Sequence, residues 1–199
     1  MPKLSPAARA RKIKLLLFDV DGVLTDGKLF FIPLATTSQP DTTRSSPSIF
    51  EFKGFHAHDG ASISLARLGG VRTGLITKRS SESVAARARD LKLEYVYQGV
   101  DDKRACFDQI VQKAGLKPDE AAFVGDDVID LPPMRAAGLA IAVKNARAEV
   151  KREAHYTTPH AGGDGGLRDA VEFILKAQGK WKRAVDEYIR GNDSKQGSQ

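Results

Sequence analysis

Short apolar runs alternate with amphipathic stretches along most of the chain. Residues 13–18, 71–77, 95–97, 121–125 and 139–143 read as strands. They are short and mostly apolar, as expected of strands covered on both faces. Apolar positions recur at helical spacing over 60–68, 81–91, 103–114, 131–137 and 166–178. This alternation predicts an α/β domain: a Rossmann-like three-layer sandwich around a mostly parallel central sheet.

One segment breaks the rhythm. Residues 33–48, PLATTSQPDTTRSSPS, are rich in Ser, Thr and Pro and nearly free of apolar side chains. They lie between KLFFI and IFEFKGF, both strand-like, and so read as a β-hairpin inserted after the first strand, over about 28–53, with a long flexible tip at 33–48. The core domain then covers 13–178, behind a basic extension of 1–12. A C-terminal helix and a disordered tail, GNDSKQGSQ, fill 179–199.

Composition narrows the class. A chain of 199 residues with 41% hydrophobic content can bury one real core. A single cysteine, Cys106, excludes an intrachain disulfide framework, and it falls on the apolar side of a predicted helix as a core thiol. No apolar run approaches the ~20 residues that cross a bilayer, so no membrane partner is expected. The leading MPKLSPAARARKIK is basic without a cleavage pattern, which makes the cytoplasm the expected compartment. The net charge of +6 gathers near the two ends. No aromatics interleave with it as a base-stacking platform requires, so it reads as solvated surface and no nucleic-acid partner is expected.

In open parallel sheets the ligand site lies beyond the carboxyl ends of the strands. Asp19 and Asp21 stand there after the first strand, then Thr77, Lys78 and Arg79, then Lys103, and finally Asp126, Asp127 and Asp130. Close carboxylates repel, and hard oxygen ligands that leave room for water suit Mg²⁺. Such a cation draws in a phosphate dianion, whose other oxygens Lys103 and Thr77 can bind. One aspartate can attack phosphorus while a second protonates the leaving oxygen and later activates water.

The motifs DVDGVLTDG, LIT ending at Thr77, Lys103 and GDDVIDLP resemble, in order, the four motifs of the haloacid-dehalogenase-like phosphatases. The resemblance covers about residues 13–178. It implies Asp19 as nucleophile and Asp21 as acid/base, with Thr77 and Lys103 also catalytic. It implies Mg²⁺ held by Asp19, the Asp21 backbone carbonyl and Asp126, with Asp127 and Asp130 orienting that shell or binding Lys103. The spacing from Asp21 to Thr77 and from Lys103 to Asp126 leaves no room for a cap domain. Among capless branches the chain is most similar to the 3-deoxy-D-manno-octulosonate 8-phosphate phosphatases, through FHAHDG, YQGVDDK, GDDVIDLP, AGGDGGLRD and AQGKW. That branch implies a small phosphorylated sugar acid as substrate, and a homotetramer whose hairpins form a central barrel. It also implies substrate contacts from His56, His58, Asp59, Gly60, Lys78, Arg79, Arg87 and Lys103. The chain departs from the branch at His58, Ser64 and Asp164, where arginine can stand, and at Lys78, which replaces a glycine. These changes bear on substrate identity, and a phosphatase of nonulosonate 9-phosphates or of sugar phosphates broadly stays open. A non-catalytic relative kept for assembly is the alternative of another class. A phospho-receiver domain would carry its acceptor Asp on a middle strand before the Thr, where this sequence has none.

Overall fold

The apolar run LLLF becomes β1 (Leu15–Phe18), and all four side chains are buried because neighbours cover the strand on both faces. The computed structural model describes residues 4–33 and 49–196, with backbone alone for 192–196. β1 lies between β4 (Arg72–Ile76) and β6 (Ala121–Gly125). β5 (Tyr95–Tyr97) extends the sheet beyond β4, and β7 (Leu139–Ala142) and β8 (Tyr156–Thr157) extend it beyond β6. Every pairing in this sheet is parallel, a stricter arrangement than the mostly parallel one expected. The physical reason is that each sheet strand returns through a crossover, while the hairpin forms a separate two-stranded sheet.

The register sets the site. Phe18 pairs with Leu75 on one side and Val124 on the other, so β1, β4 and β6 end at nearly one level. The Asp19 N–H still donates to the Val124 carbonyl at 3.1 Å, which carries the ladder one residue past the strand.

Helices cover both faces. α2 (Ala57–Leu68), α7 (Gly166–Ala177) and α8 (Trp181–Gln196) pack on one another, and α4 (Lys103–Lys113), α5 (Leu131–Ala136) and α6 (Ala148–Glu153) form a second group. α3 (Glu82–Asp90) follows β4. Three differences from the sequence reading have local causes. α2 starts at Ala57, so Gly60 lies inside the helix rather than at its start. The basic front folds into α1 (Pro6–Ala10), capped by Ser5 and opened by Pro6. Ala10 is fully buried, and the Gln178 side chain donates to the carbonyls of Ala10 and Ile13 at 3.1 and 2.7 Å, which docks this segment to the end of α7. The predicted frayed tail is helical through Gln196. α8 carries Lys182–Asp186 and Arg183–Glu187 pairs one turn apart and lays Ala184, Val185 and Tyr188 on the core.

The hairpin pairs β2 (Phe30–Pro33) with β3 (Ile49–Phe52), Phe30 opposite Phe52 and Pro33 opposite Ile49. Apart from Pro33 the predicted tip lies outside the described residues, as do 197–199 of the predicted tail. Leu29, Phe30, Phe31, Ile32, Ile49, Phe50 and Phe52 are 38% to 64% exposed, on both faces of the ribbon.

Phe123 sits at the centre of the buried sheet and meets Phe107 edge to face, with ring centroids 6.4 Å apart. Replacing it with alanine removes a buried ring that the close-packed sheet cannot fill. Urea denaturation of Phe123→Ala is expected to show a loss of about 3–5 kcal/mol.

Candidate active site

The turn after β1 shapes the first part of the site. Val20–Leu24 forms a wide turn closed by the Thr25 N–H on the Val20 carbonyl, at 3.0 Å. Gly22 has a φ of +87°, and a side chain on it would run into the Asp126 carboxylate. Asn145 then ties this turn to the 161–166 loop, donating to the Gly22 carbonyl at 2.9 Å and accepting from the Gly162 N–H at 2.7 Å. Gly162 rests directly on the Gly22 backbone, where no Cβ would fit.

At the floor of the site lies a buried ion cluster. Lys103, the first residue of α4, places its Nζ 2.9 Å from Asp19 Oδ2 and 2.7 Å from Asp130 Oδ1. Asp130 is fully buried, and its other oxygen accepts from the N–H groups of Asp126 and Asp127 at 3.0 and 3.4 Å. Asp19 Oδ1 accepts from the Val20 N–H at 2.7 Å. Burial and the nearby Asp130 push the Asp19 carboxyl up to about 7 despite Lys103. Burial, Asp130, Asp19 and Asp127 likewise push Asp126 up to about 7. Burial works against the charge on Lys103, but Asp130 and Asp19 outweigh it, and its pKa moves up.

Carboxylate oxygens of Asp19, Asp126 and Asp130 lie within 4.8 Å of one another. Asp130 has both oxygens engaged by Lys103 and the backbone, whereas Asp126 Oδ1 is buried with no hydrogen-bond partner. An orphaned buried carboxylate oxygen beside a second carboxylate fits a hard divalent cation, which would satisfy the lone pairs and cancel the repulsion. Asp127 lines the cavity beside Asp126 and caps the next turn, accepting from the Val128 N–H at 2.7 Å.

Above this floor a cavity of about 540 Å³ is lined by Asp19, Asp21, Thr77, Lys78, Arg79 and Asp126 among others. The sequence-predicted residues divide around it. Asp19, Asp21, Thr77, Lys78, Arg79 and Asp126 meet there, with Lys103 buried beneath. The Asp21 side chain lies outside the three-carboxylate group and is held by Lys53 at 2.5 Å. Asp59, expected to contact substrate, is fully buried and accepts from the N–H groups of Gly165 and Arg168 at 3.1 and 2.9 Å. Burial raises its pKa against the pull of those donors. It anchors the start of α7 and presents no surface to a ligand.

Gly60, likewise expected to touch substrate, faces the guanidinium of Arg87. Arg87 itself lies over the Phe55 ring and pairs with Asp90 at 2.6 Å. His56 occupies the N-cap position of α2 without a side-chain cap bond and meets His58 edge to face at 4.8 Å. His58 lines a separate hollow of about 300 Å³ with His160, Asp164 and Arg168. None of His56, His58, Asp59, Gly60 and Arg87 lines the Asp19 cavity. Ser64 takes a 3.3 Å bond from Arg67, and Cys106 is buried and free, with burial pushing its thiol up to about 11.

The sequence reading missed Lys53, Glu51 and Asn145. Glu51 and Lys53 alternate with Phe50 and Phe52 in IFEFK, and two opposite charges on one strand face were the available signal. Asn145 had none, because its partners lie 123 and 17 residues away.

The family model of the haloacid dehalogenase-like hydrolases matches residues 77–170. The 3-deoxy-D-manno-octulosonate 8-phosphate phosphatase KdsC of Escherichia coli K12 is 34% identical over 182 residues, which is 92% of this chain and 89% of that one. Among solved structures, the Moraxella catarrhalis 3-deoxy-D-manno-octulosonate 8-phosphate phosphatase, in complex with magnesium ion, phosphate ion and a KDO molecule, is 32% identical. It superposes with a TM-score of 0.81 over 92% of this chain and 97% of its own. A probable YrbI family phosphatase from Pseudomonas syringae pv. phaseolica is 38% identical, with the same TM-score and coverage. The chain belongs to the haloacid dehalogenase-like hydrolases and, within them, to the branch of the 3-deoxy-D-manno-octulosonate 8-phosphate phosphatases.

The raised carboxyls make metal-free stability fall with pH. Asp19 and Asp126 have ordinary values of 3.8 and stand at about 7 in the fold, so between these limits the folded chain binds more protons than the unfolded one. Stability therefore drops as pH rises through that window. The lowered carboxyls of Glu51, Glu120 and Glu153 act below their ordinary 4.5, and that of Asp26 below its 3.8, so none opposes the trend between pH 5 and pH 8. In chelator, the melting midpoint is expected to fall from pH 5 to pH 8, and added Mg²⁺ to raise it at pH 8. A flat chelator profile counts against the cluster's charge state.

Proposed function

We propose that the chain is a Mg²⁺-dependent phosphomonoesterase that hydrolyses 3-deoxy-D-manno-octulosonate 8-phosphate through an aspartyl-phosphate on Asp19. The observation that carries this reading is the Asp19–Lys103–Asp130 cluster beside the unpartnered Asp126 oxygen, gathered beyond the carboxyl ends of the parallel strands. Asp19, Asp126 and the Asp21 backbone carbonyl would hold the metal. When bound, Mg²⁺ supplies positive charge that brings a phosphate dianion against a carboxylate. Asp19, aimed by the Val20 N–H and Lys103, attacks phosphorus as the bond to the sugar oxygen breaks. Asp21 gives its proton to that leaving oxygen. It then takes a proton from the water that attacks the phosphoenzyme and frees Asp19. Lys103 and the Thr77 hydroxyl bind the phosphate oxygens, and Lys78 and Arg79 on the cavity wall supply cations for an acidic substrate.

We also propose a homotetramer assembled through the hairpins, working in the cytoplasm. Support for assembly comes from the apolar side chains exposed on both faces of β2 and β3, an arrangement a lone ribbon in water does not favour. Light scattering at micromolar concentration is expected to give the mass of four 21.6 kDa chains, and Phe31→Lys with Phe50→Lys to lower it. A wild-type monomer overturns the assembly.

The decisive assay is phosphate release from octulosonate 8-phosphate, nonulosonate 9-phosphates and simple sugar phosphates, with Mg²⁺ and with chelator. Preference for the octulosonate ester, lost in chelator, is the expected result. Asp19→Asn is expected to fold and to lose at least ~10³-fold in kcat. Flat activity across the panel overturns the substrate assignment, and an active Asp19→Asn overturns the mechanism.

A further inference from the structure

The residues flanking the end of β3 reach the site from outside the central sheet. Lys53 follows β3 directly, and its side chain has no solvent exposure. Its Nζ lies 2.5 Å from Asp21 Oδ1 and 3.3 Å from Glu51 Oε1. Glu51 in turn accepts from Arg79 Nη2 at 2.6 Å, and Arg79 Nε stands 3.8 Å from Asp21 Oδ2. The four charges close a ring: Asp21, Lys53, Glu51, Arg79. Burial opposes the charge on Glu51, and Arg79 and Lys53 overcome it, holding its carboxyl below the ordinary value.

We propose that Lys53 is the positioning residue for Asp21, so that the hairpin is part of the reaction machinery as well as an arm. A buried ammonium is costly, and apolar side chains of similar volume would pack at least as stably in its place. Its retention against one named carboxylate asks for a role at that carboxylate. By binding Oδ1, Lys53 fixes the Asp21 rotamer and leaves Oδ2 on the side of the cavity wall where Arg79 stands. The inference rests on the phosphatase reading above. In that reading the Asp21 proton passes to the sugar oxygen as the P–O bond to it breaks and the Asp19–phosphorus bond forms. Misplacing Asp21 then costs most where the leaving oxygen most needs that proton.

Leaving-group dependence tests this directly. Lys53→Met and Lys53→Arg would be assayed, with Mg²⁺, on octulosonate 8-phosphate, an alkyl ester, and on p-nitrophenyl phosphate, whose leaving group departs without a proton. Lys53→Met is expected to lose ~10²-fold or more in kcat/KM on the alkyl ester, near the lower end of what a positioned general acid contributes, and under ~10-fold on the aryl ester, because kcat/KM stops at formation of the phosphoenzyme and leaves out the later water step that also uses Asp21. Lys53→Arg should recover part of the alkyl activity. In an Asp21→Asn background, Lys53→Met should add almost nothing. If Lys53→Met does not fold, the alkyl-to-aryl ratio of Lys53→Arg carries the test. Equal losses in kcat/KM on both esters, or none, overturn the positioning role while leaving the phosphatase reading intact. A wild type inactive on both overturns that reading, and this inference with it.

Discussion

One ammonium group between two carboxylates organises this molecule. Lys103 is the opening residue of α4, yet its charge is spent inside, on Asp19 at the end of β1 and on Asp130 just past β6. Three carboxylates drawn to one point would otherwise repel with little water to screen them. Lys103 makes their approach possible, and Asp130 extends the order by gripping the backbone of Asp126 and Asp127. The parallel register brings the strand ends to one level, and the ion cluster fixes what stands on them. Part of the charge stays uncompensated at Asp126, and there a cation is called for.

The surrounding loops are held by backbone closeness more than by side chains. Gly22 lies against Asp126, Gly162 lies on Gly22, and the Asn145 amide bridges the two loops. Asp59 performs a similar office lower down, fastening the start of α7 to the first turn of α2. These contacts fix the loops around the strand ends against one another.

Much of this was legible in the chain. Continuous apolar runs announce doubly covered strands, and a parallel sheet obliges polar residues at their ends to share one edge, so Asp19, Thr77, Lys103 and Asp126 could be gathered from sequence. What stayed hidden depends on packing across long separations. Asp59 looks like a ligand-facing acid until α7, more than a hundred residues later, supplies its donors. His58, one residue before it, belongs to a different hollow, because a helix already running at Ala57 turns that side chain away. Lys53 reads as an ordinary strand-end lysine until the Asp21 turn is folded against it.

The two ends of the hairpin answer to different constraints. Its inner end, at Lys53, touches the Asp21 carboxylate, while its outer end is the Pro33–Ile49 pair, four residues or about 13 Å away. The serine- and threonine-rich segment is joined only beyond that outer pair. Insertions, deletions and drift there leave the register below unchanged, whereas a one-residue slip within β3 would swing Glu51 and Lys53 to the other face. The length of that segment is thus unconstrained by the strand pairing, whereas the spacing from Ile49 to Lys53 is set by it.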